Sequence, residues 1–345
     1  CLKSKKFYAN EIREGVKIIR NGWIVENKIL KILSSYIYIS INLIFSKTSF
    51  IHAHDFTALP VVFIVSIIKR IPYIYDTHEL WSESHHSFKS KVLLKMIPIV
   101  EKYLAINSFA VITVSNSIRD HLIRKWRFNN IHVIRNIPSY VYHGKFDLLR
   151  EKFNIPYNHK LIIYQGLISE NRGVDIFVDA AIKVSKCYDK CTFILIGDGP
   201  YLRAVNAKIH TLNIPKRIVC TGLIPQDVLL KYTNSADIGI HPIKNTCLNH
   251  NYCLPNKLFE YLHSNLVVVV PDLKEIASFV KKYQIGKTFT ESNTESLKIS
   301  ILELLNNENK FLLMKKRVQE LKTHITWENE FKLLENIYNK IFFMK

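Results

Sequence analysis

Short β-branched runs recur along the chain with longer amphipathic stretches between them, and several of these runs are apolar at every position. Phe193–Ile196 (FILI) and Val267–Val270 (VVVV) show this most clearly. A strand with one wet face alternates polar and apolar residues, so a strand without alternation is covered on both sides. Parallel sheets held between helices meet that condition. The pattern predicts strands at Ile51–His54, Tyr73–Tyr75, Ala110–Val114, His132–Ile134, Leu161–Gln165, Thr192–Ile196, Ile218–Thr221, Ile238–Ile240 and Val267–Val270. Helical patterns such as Val174–Lys186 and Pro255–Ser264 lie between them. Such alternation reads as doubly wound α/β architecture.

A chain of 345 residues has room for two units of this kind. Pro138, Gly144, Pro156 and Asn158 punctuate residues 136–160, and strand-like order resumes at Leu161. The expected division is one unit over 1–145, a second over 146–325, and a closing helix over 326–345. In that helix Trp327, Phe331, Leu334, Ile337 and Ile341 make one apolar face. Thr326 can cap it, and Glu328 and Glu330 suit its positive N-terminal end. The opening is thinner. The first 25 residues offer one weak strand near Val16–Arg20 and begin at Cys1, so the first unit is expected to lack its opening strand and helix.

Lys and Arg number 48 against 29 Asp and Glu, a net charge of +19. Residues 1–150 hold 22 of the basic and 10 of the acidic side chains, so the first unit carries most of the surplus. This calls for an anionic partner: nucleic acid, an acidic membrane surface or a phosphorylated substrate. No nucleic-acid-binding module accompanies the charge, so nucleic acid is not expected. No run reaches the ~18 apolar residues of a membrane span. Leu59–Ile68 reads as a buried helix and Ile29–Phe45 as a core or interfacial one. The six Cys are irregularly spaced, which gives no disulfide framework and suits reduced thiols. With no secretory pattern at the start, the expected location is cytoplasmic, with peripheral contact at the inner face of the cell membrane.

Five segments carry chemistry. Gly197-Asp198-Gly199-Pro200 follows the strand TFILI and makes a tight strand-to-helix turn, which either meets a ligand or is structural alone. In LIIYQGLISENRGVDIFVDAA, Gly166 permits close backbone approach, and Arg172 stands where it can clamp a phosphate or simply sit in an exposed loop. In CLPNKLFEYL, Lys257 and Glu260 share a helix face. They form either a surface ion pair or a cation and carboxylate aimed at a diphosphate and a ribose. In the first unit, HAHD (His52–Asp55) and YDTHELWSE (Tyr75–Glu83) each follow a strand and are expected to line one cleft. His-x-His alone suggests metal, but no carboxylate arrangement in the sequence completes a site, so none is expected. Cys187 and Cys191 lack a second pair and are not read as a zinc site either.

Taken in order, IHAHD, YIYDTHELWSE, VITVSNSI, VIRNIP, YQGLISENRGVDIFVDAA, FILIGDGP, CTGLIPQDVLLKYTNSADIGIHPI and LPNKLFEYL resemble the family 4 glycosyltransferases of GT-B fold. The resemblance runs from about residue 50 to the last helix. It implies two Rossmann-like domains facing across a cleft, and transfer of a sugar from a UDP- or GDP-linked donor with retention and without protein-bound metal or cofactor. Arg172, Lys257 and Gly166 would hold the donor diphosphate and Glu260 the ribose. The Gly197–Pro200 loop would lie near the nucleoside. His78 would contact the transferred sugar near the reaction centre. His54, Asp55, Glu79, Asn256 and Tyr252 would line the cleft. Two positions depart from the family pattern. Tyr252 stands eight residues before Glu260, where a second Glu is usual, and Leu167 replaces a frequent basic residue. The acceptor implied is a glycan or lipid-linked sugar of a bacterial capsule, lipopolysaccharide or glycolipid. The alternatives of the same fold are a non-hydrolysing nucleotide-sugar epimerase and a truncated donor-binding remnant without catalysis.

Overall fold

The computed structural model describes residues 10–20, 28–84, 91–139, 146–210 and 217–343; Cys1, Gly144 and Lys345 lie outside them. The chain opens with strands β1 (Asn10–Arg13) and β2 (Val16–Ile19), paired antiparallel through a turn at Glu14-Gly15. Then follow α1 (Lys28–Phe45), β3 (Ile51–His54), α2 (Asp55–Lys69), β4 (Tyr73–Thr77), α3 (Lys91–Ile106), β5 (Ala110–Thr113), α4 (Asn116–Trp126) and β6 (Ile131–Val133). Strands β3 to β6 form a parallel sheet in chain order.

Next come α5 (Leu148–Phe153), β7 (Lys160–Gln165), α6 (Val174–Ser185), β8 (Cys191–Ile196), α7 (Leu202–His210), β9 (Ile218–Gly222), α8 (Gln226–Thr233) and β10 (Ile238–Ile240). The rest is α9 (Leu248–Tyr252), α10 (Asn256–His263), β11 (Val267–Pro271), α11 (Lys274–Tyr283), β12 (Gly286–Phe289), α12 (Thr294–Asn306), α13 (Glu308–Leu321) and α14 (Trp327–Phe343). The second sheet is parallel throughout, in the order β12-β11-β10-β7-β8-β9. Its order reverses between β7 and β10. Loops leaving adjacent strands there diverge and open a crevice at the strand ends.

The strands expected to be covered on both sides are so: β7, β8, β10 and β11 are buried along nearly their whole length, with apolar side chains feeding clusters on both faces. In the first sheet, α2, α3 and α4 cover one face. Helix α14 crosses back to cover the other, packing Leu334, Ile337 and Ile341 on Ile74, Ile112 and Ile134. Its inward face differs from the sequence expectation at two positions. Phe331 is 43% exposed, while Glu330 is 2% exposed and accepts hydrogen bonds from Arg135 N (2.7 Å) and Nε (2.8 Å). A carboxylate with a fixed cationic partner takes the inward place expected for an aromatic ring. Helix α2 is also less buried than expected. Leu59, Val61, Val62 and Val65 face the sheet, whereas Ile64, Ile67 and Ile68 face outward.

Candidate active site

The ends of both sheets meet at one cleft of about 500 Å³. Asp55, His78, Glu79, Val114 and Asn136, each close behind a strand of the first sheet, form one wall. Gln165, Gly166, Leu167, Arg172, Pro255, Asn256, Lys257 and Glu260 contribute the other. The walls are joined directly. Asn249 on α9 accepts from Leu80 N (2.9 Å) and donates to Glu79 Oε2 (3.0 Å). Glu275 on α11 accepts from Asn116 N (3.1 Å) and Ser117 N (3.0 Å) at the start of α4.

On the second-domain wall, Lys257 stands in the first turn of α10, whose N-terminal end favours an anion. The stem of Lys257 borders the cleft, but its Nζ lies 4.5 Å from the centre of the Tyr164 ring. Burial, then the nearby Arg172 charge, lowers the ammonium pKa to about 7. Gly166 has a φ of +127°, and a Cβ there would stand 2.9 Å from Lys257 Nζ. Only glycine leaves the ammonium and the backbone this close. Glu260, one turn further along α10, accepts from the Gln165 side-chain amide, and Gln165 Oε1 accepts from Thr233 Oγ1 (2.6 Å). Burial raises the Glu260 carboxyl above its ordinary range, outweighing the hydrogen bond from Gln165. Beneath the cations lies His241, 1% exposed, with neither ring nitrogen hydrogen-bonded. Burial, and then Lys257 and Arg172, hold it neutral.

On the first-domain wall, His78 N donates to Asp55 Oδ1 (3.4 Å), and His78 Nδ1 lies 3.2 Å from Asn136 Nδ2. His78 also borders a smaller adjoining pocket of about 260 Å³ that contains His52, His54 and Asp76. Burial alone would raise the Asp76 carboxyl, but the imidazoles around it hold it well below the ordinary range. In return, the hydrogen bond to Asp76 raises the pKa of His54.

The structure thus brings His78, Asp55 and Glu79 together with Arg172, Gly166, Lys257, Glu260 and Asn256. His54 faces the adjoining pocket instead. Tyr252 lies in the domain seam, where its carbonyl accepts from Ser115 Oγ (2.6 Å) and its ring packs 5.8 Å from His121. The Gly197–Pro200 loop lies beside Gly166 at the cleft wall, with Asp198 and Pro200 exposed: Ile168 N donates to Asp198 O (2.9 Å), and a Cβ at Gly197 would strike the Gly166 carbonyl. Sequence reasoning does not single out Gln165, His241 or Asn249. The signal for the first two is position: each stands at the end of one of the two strands at which the sheet order reverses.

Residues 1–137 match the Glycosyltransferase Family 4 family and residues 159–307 that of Glycosyl transferases group 1. The chain is 20% identical to the alpha-D-kanosaminyltransferase of Streptomyces kanamyceticus, over 56% of this chain and 53% of that protein. It is 26% identical to the alpha-monoglucosyldiacylglycerol synthase of Streptococcus pneumoniae, over 50% of this chain and 41% of that protein. The chain therefore spans about half the length of these relatives. Sucrose-phosphate synthase from Thermosynechococcus elongatus superposes with a TM-score of 0.79 at 15% identity, covering 100% of this chain and 88% of that one. HepE of Anabaena, solved in complex with UDP, superposes with a TM-score of 0.74 at 18% identity, covering 88% and 82%. With both halves matched in sequence and the whole chain matched in fold, this protein belongs to the family 4 glycosyltransferases of GT-B architecture.

Proposed function

We propose that this chain moves a sugar from a UDP- or GDP-linked donor to a glycan or lipid-linked acceptor of the cell surface, with retention at the anomeric carbon. The observation that carries this reading is the convergence of Arg172, Lys257 and Glu260 with His78 on one cleft. Breaking the sugar–phosphate bond leaves negative charge on a diphosphate. Fixed cations and the α10 N-terminus offset that charge without rearranging, which is electrostatic preorganisation. Each charge-assisted hydrogen bond contributes roughly 1.5–3 kcal/mol. Glu260, steadied by Gln165, accepts from the ribose hydroxyls, and His78 meets the sugar from the opposite wall. Retention follows if the acceptor oxygen attacks on the face the phosphate leaves and the departing phosphate takes its proton.

The acceptor side favours a membrane-held substrate. Helix α2 packs between α1 and α3, and their outer surfaces expose Ile37, Phe45, Ile64, Ile67, Val92 and Ile99. Lys47, Arg70 and Lys95 are exposed in the same region. Apolar residues bordered by cations suit an anionic bilayer surface. No helix among the described residues is long and apolar enough to cross a membrane. A relative named for glucosyldiacylglycerol points the same way.

Calorimetric titration with UDP and GDP tests the donor site. Arg172→Ala and Lys257→Ala are each expected to weaken the preferred nucleotide at least about tenfold, the lower end of one charge-assisted contact. Unchanged affinity in both variants would remove these role assignments. An epimer formed from the donor with no acceptor present would replace transfer by epimerisation.

A further inference from the structure

We infer that Glu79 selects the transferred sugar: its carboxylate accepts from the hydroxyls of an uncharged ring and turns away a ring that bears an acid group. The inference rests on the donor reading above and names the class of sugar which that reading leaves open. Charge divides the cleft into two ends. Arg172 and Lys257 stand at one, with the N-terminus of α10. Asp55, directly after β3, and Glu79, two residues after β4, stand at the other, beside His78. A donor held with its diphosphate at the basic end has its sugar toward His78, and so toward these two carboxylates.

In a chain of net charge +19 an acidic side chain readily finds a cation. Other carboxylates near the cleft have done so. Asp76 lies 3.3 Å from His52 Nε2 and from His54 Nδ1, Glu83 lies 2.6 Å from Lys125 Nζ, and Glu330 pairs with Arg135. Asp55 and Glu79 form no ion pair among the described residues. Glu79 is held in place all the same. Its Oε2 accepts from Asn249 Nδ2 (3.0 Å), across the domain seam, and from Ser84 Oγ (3.3 Å). The same Asn249 side chain accepts from Leu80 N (2.9 Å), which fixes the orientation of its amide. With Oε2 anchored, Oε1 has no hydrogen-bond partner among the described residues. A carboxylate can only accept, so the groups that suit it are donors such as sugar hydroxyls, and charge assistance makes those bonds strong. Asp55 stands in the left-handed backbone region (φ +62°), which residues other than glycine seldom enter, and its Oδ1 lies 3.4 Å from His78 N. A uronic acid would bring a third negative charge to this end. Like charges set together at a recognition surface are a means of rejecting the wrong partner.

The test is calorimetric titration of the full chain without acceptor, so that the donor alone contributes. The probes are UDP, UDP-glucose and UDP-glucuronic acid, with GDP, GDP-mannose and GDP-mannuronic acid in parallel. Within each set the two sugars differ only at the carbon that carries the acid. For the nucleotide that binds, the uncharged sugar is expected to bind at least as tightly as the bare nucleotide, and its uronic acid at least about thirtyfold more weakly than the uncharged sugar. Glu79→Gln keeps an oxygen for Asn249 and removes the charge. It is expected to lower the ratio of sugar-nucleotide to bare-nucleotide affinity at least about threefold, and to narrow the discrimination against the uronic acid about tenfold. A side chain that served only to join the two domains would move neither ratio in this variant. The discrimination shown by the parent decides the matter by itself if the variant does not fold. A uronic acid bound as tightly as the uncharged sugar, or either ratio unchanged in Glu79→Gln, would overturn the inference and leave the donor site standing. Failure of every nucleotide to bind, bare or sugar-linked, would overturn the donor reading itself and this inference with it.

Discussion

Lys257 occupies a place where an apolar side chain would be more stable. Its ammonium is held low, at about 7, by burial and by Arg172. Between that value and the ordinary 10.5, the unfolded chain binds the proton more readily than the folded one, so this residue makes stability rise with pH across the window. Near neutrality it is a net cost. Lys257→Met is expected to raise stability by about 1–2 kcal/mol in urea unfolding while losing nucleotide affinity. The same pKa gives donor binding a pH signature. A diphosphate restores the proton, so the UDP or GDP dissociation constant should rise with pH above about 7, approaching roughly tenfold per unit; a flat profile would place the ammonium away from the diphosphate. Gly166→Ala combines left-handed strain with pressure on Lys257 Nζ, and should weaken the nucleotide about tenfold or more while the second domain stays folded by circular dichroism. At this scale the sequence is informative where a motif fixes spacing, as with Lys257 and Glu260 on one helix face. It is silent where partners come from different elements. Gln165 reaches Glu260, and Asp76 reaches His54, through the way separate elements are set side by side.

Glu275 shows what one helix does for another. Its carboxylate accepts two backbone N–H groups at the start of α4, where the helix dipole favours an anion. The carboxylate sits on the second domain and the amides on the first, so the pair is a hydrogen-bonded strut across the seam. Glu275→Ala should speed amide exchange at Asn116 and Ser117 and cost about 1–3 kcal/mol; unchanged exchange would mean the strut carries no load. The elements themselves are largely legible. Interior strands such as β8 and β11 are covered on both faces, so their apolar runs carry their own signal. Strand β12 (GKTF) carries none, because it lies at a sheet edge, where three of its four residues are only partly buried and no apolar run is needed. The β1–β2 hairpin is largely exposed, and its sequence shows one weak strand in place of two. The outward side of α2 is hidden because LPVVFIVSII is apolar all round, and such a sequence does not say which residues meet water.

For the whole molecule, the exposed apolar surface of α1–α3 predicts binding to vesicles. Sedimentation with anionic phospholipid vesicles should capture the parent, and Ile64→Ser with Ile67→Ser should release it several-fold; equal capture by neutral vesicles would argue against the charge contribution. The last helix has a consequence of another kind. The first sheet receives the cover for one of its faces from Leu334, Ile337 and Ile341, far downstream of β6 and beyond the entire second domain. During synthesis the four strands emerge early, yet one side of them stays bare until α14 leaves the ribosome. Domains usually mature in the order they are made. Here the earlier one must wait for the later, so a stop codon shortly before Trp327 would leave the second domain able to fold and the first exposed to aggregation.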